Sequence, residues 1–465
     1  MHVGRLQMFP TGSGSGKGAC SDVNDFNSEA IGCGQPVTAM KSLIIQSIFR
    51  QVSLIGRKAD SAKDRRRVMR IFDEWLTAQR ELPPVRHRRG TLLLIRLDDI
   101  GDYLLFRNQL QAYKKSARWK SHRITLLGNE SWCGFFTALD QSTVDDTIWV
   151  NKDRYLENAP YRMAIWKQLR AGGFESVVAP SCVRPLLLDD FCMLAAAPLH
   201  SFGTVNANIH ECWNRRSDSL YTSLFKPPRP LMHDFDLNAE FSTWVSGTRY
   251  PGKRPCIEMR PAALGQGAYT ICFVGASTRS KRWPANRWLE FIALYRRHFS
   301  GRIVLAAGSR TAELKMVNKI QQRTGAQSIA GKLPVSDLLQ WIAGAQAVVS
   351  NDTMAAHIGV SLDRPTVIIA NGLNYMRFSE YSNAGITQVA TVYSELFNRR
   401  RKRMGDRPHA YHETVTADIV SIRAESVIEA LRQVAPQLCA REPAAEARAA
   451  RVGTLGSSVE RKSAG

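Results

Sequence analysis

From residue 91 to 370 the chain repeats one rhythm: a short apolar run, a polar turn, then a stretch with apolar positions spaced for one helix face. In a first block the apolar runs fall at 92–95, 123–128, 147–150 and 176–180, with helical stretches such as 160–171 between them. A second block opens with YTICFVGA from Tyr269 and continues through a helix at 286–299, a strand at 302–306 and a helix at 311–323. A helix at 335–344, a strand at 346–349, a helix at 354–362 and a strand at 366–370 follow. Runs that are apolar throughout predict strands buried on both faces, and helices between them predict parallel connections. The expected fold class is α/β, with two Rossmann-like doubly wound parallel-sheet domains. Ligands of such sheets lie beyond the C-terminal strand ends, so the two domains should face a cleft. Residues 201–267, rich in Pro and Arg, read as irregular and hold the interdomain boundary near 250–268.

The ends of the chain follow other patterns. Residues 1–40 are rich in Gly, Ser and Asn and read as a flexible segment; 436–465, rich in Ala, Arg and Ser, read as a disordered tail. Residues 41–90 read as a basic helical extension, built on KSLIIQSIFRQVSLIGRK and KDRRRVMRIFDEWL. Such a helix suits either an anionic bilayer surface or the flank of the neighbouring domain, and the pattern leaves both open. GSGSGKGA at 12–19 imitates a phosphate loop but lacks the first glycine, the Ser or Thr after Lys17, and a preceding strand, so it is rejected.

Composition narrows the classes further. A chain of 465 residues can bury two ordinary cores, and 44% hydrophobic content with ten Trp excludes global disorder. Lys+Arg 63 against Asp+Glu 41, a net charge of +22, favours polyanionic partners without choosing among them. The nine cysteines form no CxxC pair, which suits reduced thiols better than disulfides or zinc. No apolar stretch reaches the ~18 residues of a membrane span, and no signal-peptide core opens the chain, so the expectation is a soluble cytoplasmic protein.

Chemistry concentrates in three turns. In SNDTMAAHIGVSLDRPTVIIA, from Ser350, helix-capping residues stand between a strand and a short helix; free N–H groups and the positive end of a helix dipole meet there, a place suited to phosphate. RLDDIGD (from Arg96) and GASTRSKRWPANRW (from Gly275) occupy equivalent strand ends. In order and spacing these three segments resemble glycosyltransferase family 9, the ADP-heptose-dependent heptosyltransferases of the lipopolysaccharide inner core. GKLPVSDLLQWIAGAQAVVSNDT resembles that family's approach to the nucleotide site, and VTADIVSIRAESVIEALRQV its closing helix. The resemblance covers roughly residues 91–434. It implies a GT-B fold with an acceptor domain at 91–255 and a nucleotide-sugar domain at 256–435. It also implies inverting transfer that needs neither metal nor other cofactor.

The resemblance assigns the general base to Asp102, with Gly101 letting the turn fold tightly; Asp98 and Asp99 are left as caps or solvated charges. Lys281 matches the family's lysine and, with Arg282, faces the departing diphosphate. Ser277 and Thr278 offer hydroxyls and N–H groups. Asp352 and Thr353 complete the anion pocket, Asp352 orienting the donor sugar as a third catalytic side chain. Met354 and Ala355 open the receiving helix; His357 matches the family histidine, and a packed structural histidine is an equal reading. Glu313 is placed to accept from ribose hydroxyls, although an acidic residue at a helix start also serves the dipole.

Three departures stand out: Met354 where the family has Gly, no proline in the helix after Asp102, and Leu362-Asp363-Arg364-Pro365 in place of a Leu-Gly-Arg-Pro turn. The expected function is heptose transfer from ADP-heptose to a lipopolysaccharide-type glycolipid or oligosaccharide, with peripheral contact at the inner membrane. The alternatives are a transferase of this frame using another nucleotide sugar and a catalytically silent binding module, which Met354 favours. Nucleic-acid binding is set aside because no recognition motif accompanies the charge.

Overall fold

Twelve strands among the described residues sort into two sheets. The computed structural model describes residues 62–439, apart from 185–186, 208–210, 230–231, 250, 253, 262–266, 332, 374, 382–385 and 405–418. The expectations for residues 1–61 and for 440–465 lie outside that range. The first sheet holds β1 (Arg88–Arg96), β2 (Arg123–Asn129), β3 (Asp146–Val150), β4 (Phe174–Ala179), β5 (His200–Thr204) and β6 (Ser223–Phe225). The second holds β7 (Tyr269–Phe273), β8 (Arg302–Ala306), β9 (Gln327–Ser328), β10 (Ala347–Asn351), β11 (Thr366–Ile369) and β12 (Val389–Val392). Every pairing is parallel.

The first sheet runs β3-β2-β1-β4-β5-β6 and the second β12-β11-β10-β7-β8-β9. Counted from its own first strand, the second order is the first one again, which is the Rossmann order. Each sheet therefore has one switch point, between β1 and β4 and between β7 and β10. This is the two-domain GT-B arrangement that the resemblance implies.

Alternate residues of the strands enter different cores, as the period of two demands. Leu92 and Leu94 of β1 join a cluster that also takes Ile271 and Phe273 of β7 and Val348 of β10. Leu93 and Ile95 join a second cluster behind the first sheet, and Cys272, Ala347 and Val349 a third behind the second. The shared cluster means that apolar side chains from both sheets bury one another. Both sheets lie in the same compact unit of the chain.

One expectation needs correction. The stretch 201–267 is not irregular: it supplies most of β5, then the Glu211–Asp218 helix, β6 and the Asp234–Ser246 helix. The strands there are short and mix polar with apolar positions, so pairing of β5 with β4 and of β6 with β5 defines them where local pattern does not. The helical extension is present as Ala62–Gln79, and its Ile71, Phe72 and Trp75 are buried against the first sheet's helices, with Trp75 edge-on to Trp166 at 5.7 Å. Over these residues the domain-flank reading holds. Of the cysteines, Cys133, Cys182, Cys192, Cys256, Cys272 and Cys439 are free thiols, and no described helix is long and apolar enough to cross a membrane.

Candidate functional site

The second sheet's switch point is built by one amide. Asn351, the last residue of β10, donates from Nδ2 to the carbonyls of Val274 (2.9 Å) and Gly275 (3.0 Å), and its Oδ1 accepts the Trp283 N–H at 3.1 Å. It thereby ties the turn after β7 to the end of β10, buried and fully paired. Trp283 is itself fully buried, with Nε1 donating to the Ile422 carbonyl at 3.0 Å. Just before it, Lys281 closes a tight turn, Arg279–Lys281, and reaches across the switch point to Asp352, Nζ to Oδ2 at 2.8 Å. The two side chains are 14% and 4% exposed, so the contact is largely shielded from water and both charges depend on it.

Beyond Asp352 the Met354–Ser361 helix begins, with Thr353 at its cap position in extended conformation. No side chain caps it: the Thr353 hydroxyl meets Ser350 Oγ at 3.1 Å. The opening N–H groups are thus left to a ligand or water. Met354 is half-buried and packs against the shared apolar cluster that contains Ile358, while the Ala355 side chain is buried in that cluster. Ser277 and Thr278 lie on the turn after β7, where Arg310 Nη1 donates to the Ser277 carbonyl at 2.6 Å. Arg282 turns back to the Ala276 carbonyl at 3.0 Å, holding the same turn. Glu313 is buried under that turn: a Cβ built on Gly275 or Gly308 would stand 3.0 or 2.6 Å from its carboxylate. No described residue donates a hydrogen bond to the Glu313 carboxylate.

The first sheet's switch point carries acid. Asp102 is not on a turn, as expected, but in the first turn of the Ile100–Phe106 helix, which begins when the Tyr103 N–H reaches the Asp99 carbonyl at 3.1 Å. Gly101 is correspondingly not a turn glycine. A Cβ there would meet the His357 ring, Cδ2 at 3.2 Å and Nε2 at 3.3 Å, so its size is set by the other domain. Asp98 is not the cap; partly exposed, it is ion-paired with Arg96, Nε at 2.9 Å, and accepts from Ser181 Oγ at 3.3 Å, just beyond β4. Asp99 occupies the cap position without a side-chain cap bond and pairs with Lys152 at 2.7 Å. Arg96 also donates to Asn238 Oδ1 (3.1 Å) and to the Asp102 carbonyl (3.3 Å).

Burial raises the Asp102 carboxyl above its ordinary range; Arg96 opposes this, Asp234 adds to it and Arg377 opposes it. Burial likewise lifts Asp98 to about 8, against the pull of Arg96. Asp189 and Asp190, which open the helix after β4, rise to about 7 and about 6 for the same reason. His357, with Nδ1 2.6 Å from the Tyr381 hydroxyl, is driven down to about 4 by burial, Asp352 opposing, and is neutral near pH 7.

The structure thus joins Lys281 to Asp352 and Gly101 to His357, and seats the Glu313 carboxylate against Gly275 and Gly308. It does not join Asp102 to Lys281 directly. Residue patterns missed Asn351, although it sits inside the quoted SNDT motif, and missed Arg96, Asp234, Asn238, Arg377 and Tyr381, whose partners are remote in sequence.

Two Rossmann sheets of identical order, sharing one core and presenting acid at one switch point and a cation with a helix N-terminus at the other, define a GT-B frame. The family model of glycosyltransferase family 9 (heptosyltransferase), the family that the motifs resemble, matches residues 233–392. Lipopolysaccharide heptosyltransferase 2 of Salmonella typhimurium is 24% identical over 160 residues, a match spanning 33% of this chain and 43% of that protein. The match therefore spans less than half the length of that relative. In fold, the family 9 glycosyl transferase of Veillonella parvula gives a TM-score of 0.58 at 16% identity, covering 76% of this chain and all of that one. The E. coli heptosyltransferase WaaC with ADP gives 0.56 at 16% identity, covering 74% and 100%.

Proposed function

We propose that the chain is an inverting glycosyltransferase that moves heptose from ADP-heptose onto a lipopolysaccharide-type acceptor, working as a peripheral protein on the inner face of the cell membrane. The observation that carries this reading is the Lys281–Asp352 pair at the second switch point, beside an uncapped helix and above the buried carboxylate of Glu313. A nucleotide diphosphate sugar suits each part: Glu313 accepts from ribose hydroxyls, while Lys281 and the N–H groups that open the Met354–Ser361 helix receive the diphosphate. Asp352 both steadies Lys281 and faces the sugar hydroxyls. The similarity to the E. coli heptosyltransferase structure with ADP and to the Salmonella heptosyltransferase supports this choice of donor.

Asp102 is the base in this reading. The acceptor hydroxyl loses its proton to the Asp102 carboxylate as its oxygen bonds to the anomeric carbon, and the bond to the diphosphate breaks on the opposite face. A carboxyl pushed up by burial is a better proton acceptor than one in water, and Arg96 beside it favours the carboxylate form. Positive charge for the leaving group comes from protein groups, so the transfer is proposed to run without a metal. The test is a panel of ADP-, UDP- and GDP-sugars read by melting temperature. ADP-heptose should give the largest rise. A rise with UDP- or GDP-sugars alone moves the donor, and no rise with any of them favours a silent binding module.

A further inference from the structure

A buried ion pair beside the proposed base has no part in the chemistry described so far. Asp234 opens the Asp234–Ser246 helix, which packs on the Ile100–Phe106 helix, whereas Arg377 comes from the loop after β11. Arg377 gives Asp234 two parallel hydrogen bonds, Nε to Oδ1 at 3.0 Å and Nη2 to Oδ2 at 2.6 Å, and its carbonyl accepts the Asp234 N–H at 2.9 Å. The side chains are 10% and 5% exposed. Apolar side chains of similar volume would join two domains as well or better, so burial of a full pair points to a role for its charge.

Two chains of contact run from this pair to Gly101 and Asp102. Asn238, one turn along the same helix face, donates to the Leu105 carbonyl at 3.4 Å and accepts from Arg96, which holds the Asp102 carbonyl. On the other side His233 lies against Tyr381, ring centroids 4.6 Å apart, and the Tyr381 hydroxyl meets His357, the ring that abuts Gly101. No described residue donates a hydrogen bond to the Asp102 carboxylate. The cations around it are committed elsewhere: Arg96 to Asp98 and Asn238, Lys152 to Asp99, Arg377 to Asp234. The other neighbours are the acids Asp98, Asp99 and Asp234, with the neutral His357 ring and the Cys182 thiol, which burial pushes up to about 12.

We propose that Asp234 is a positioning residue: by gripping Arg377 at both ends of its guanidinium, it keeps that cation off Asp102 and leaves the base free to take a proton. The inference rests on the reading of Asp102 as the base. It gives the two partners opposite effects. Loss of Asp234 removes a negative neighbour and releases a cation, and both changes hold Asp102 in its charged form. Loss of Arg377 leaves Asp234 unpaired near Asp102 and favours the protonated form.

The test is a carbon-13 titration of aspartate carboxyls in the full chain, with the Asp102 signal assigned by its absence in Asp102→Asn. This readout needs no substrate. In Asp234→Asn the Asp102 midpoint should fall by about one pH unit or more; in Arg377→Gln it should rise. With ADP-heptose and purified inner-core glycolipid, Asp234→Asn should lose about tenfold or more in turnover. The double variant Asp234→Asn/Arg377→Gln should recover several-fold over it, since no loose guanidinium remains. If Asp234→Asn does not fold, Arg377→Lys replaces it: a lysine cannot bridge both oxygens, and the midpoint should still fall. An Asp102 midpoint that stays at the wild-type value in these variants overturns the inference, as does a double variant no better than Asp234→Asn. The base reading fails separately, by full turnover in Asp102→Asn.

Discussion

At the second sheet's switch point a lysine, a carboxylate and an uncapped helix surround a place fit for an anion; at the first, Asp98, Asp102, Asp189 and Asp190 crowd together under Arg96 and Arg184. The strand order is the same in both sheets, and a contact crosses each switch point: Lys281 to Asp352 in one, Ser181 to Asp98 in the other. The difference lies in what burial does. In the second sheet it shields one lysine–carboxylate contact, Lys281 to Asp352 at 2.8 Å. In the first it raises several carboxyls toward neutral pH, to about 8 for Asp98 and about 7 for Asp189. One topology thus carries clustered carboxylates at one switch point and a lysine beside a helix N-terminus at the other, and the loops, not the sheets, decide which.

The largest effect should come from breaking the acidic side. Asp102→Asn should leave the fold and nucleotide binding intact and lower turnover by about 10² or more. Unchanged turnover would make Asp102 only a helix-start residue. Lys281→Ala should come next, weakening nucleoside diphosphate binding about tenfold or more while nucleoside binding changes little, because only the phosphates meet the charge. Calorimetry with ADP and adenosine measures this, and equal losses for both would point to general destabilisation around the stranded Asp352.

A third experiment sharpens the contrast through pH. Asp189 has a folded pKa of about 7 against an ordinary 3.8, so between these values the native state holds the extra proton. Its stabilising contribution is full below about pH 4 and is lost as pH rises through about 7. Asp189→Asn should therefore gain in melting temperature relative to wild type as pH goes from about 5 to 8. A difference that stays constant over this range would remove Asp189 from the pH-sensitive side. The smallest effect concerns Met354. With its side chain packed against the apolar cluster beside Ile358, Met354→Gly should leave ADP affinity near wild type, at a helix cost of about 1 kcal/mol plus lost packing. Binding that appears only in the variant would mean that the thioether blocks the site.

The second sheet was the more legible in sequence. Asp352 and Thr353 sit at the end of an apolar run and could be found from it and from their capping types, whereas Lys281, like Asp102, needed the family motif. In the first sheet Asp102 was found only with the help of a family motif, and its setting was misread as a turn. The reasons for its environment lie far away: Asp234 and Arg377 are separated by 143 positions, and Arg96 and Asn238 by 142. Neither pair leaves a local period. β5 and β6 were missed because a three- to five-residue strand with polar positions becomes a strand only when a neighbour pairs with it.

Gly101 sets the clearance between the two halves of the molecule. A single methyl group there would press on the His357 imidazole, which is buried and held by Tyr381 and so has little room to retreat. By propensity alone, position 101 is the obvious place to strengthen its helix, since alanine is favoured over glycine by about 1 kcal/mol. An engineer scanning helices for such glycines would choose it early and would obtain a firmer helix wedged away from its counterpart. What looks like a weakness in one helix is the tolerance to which two domains are fitted.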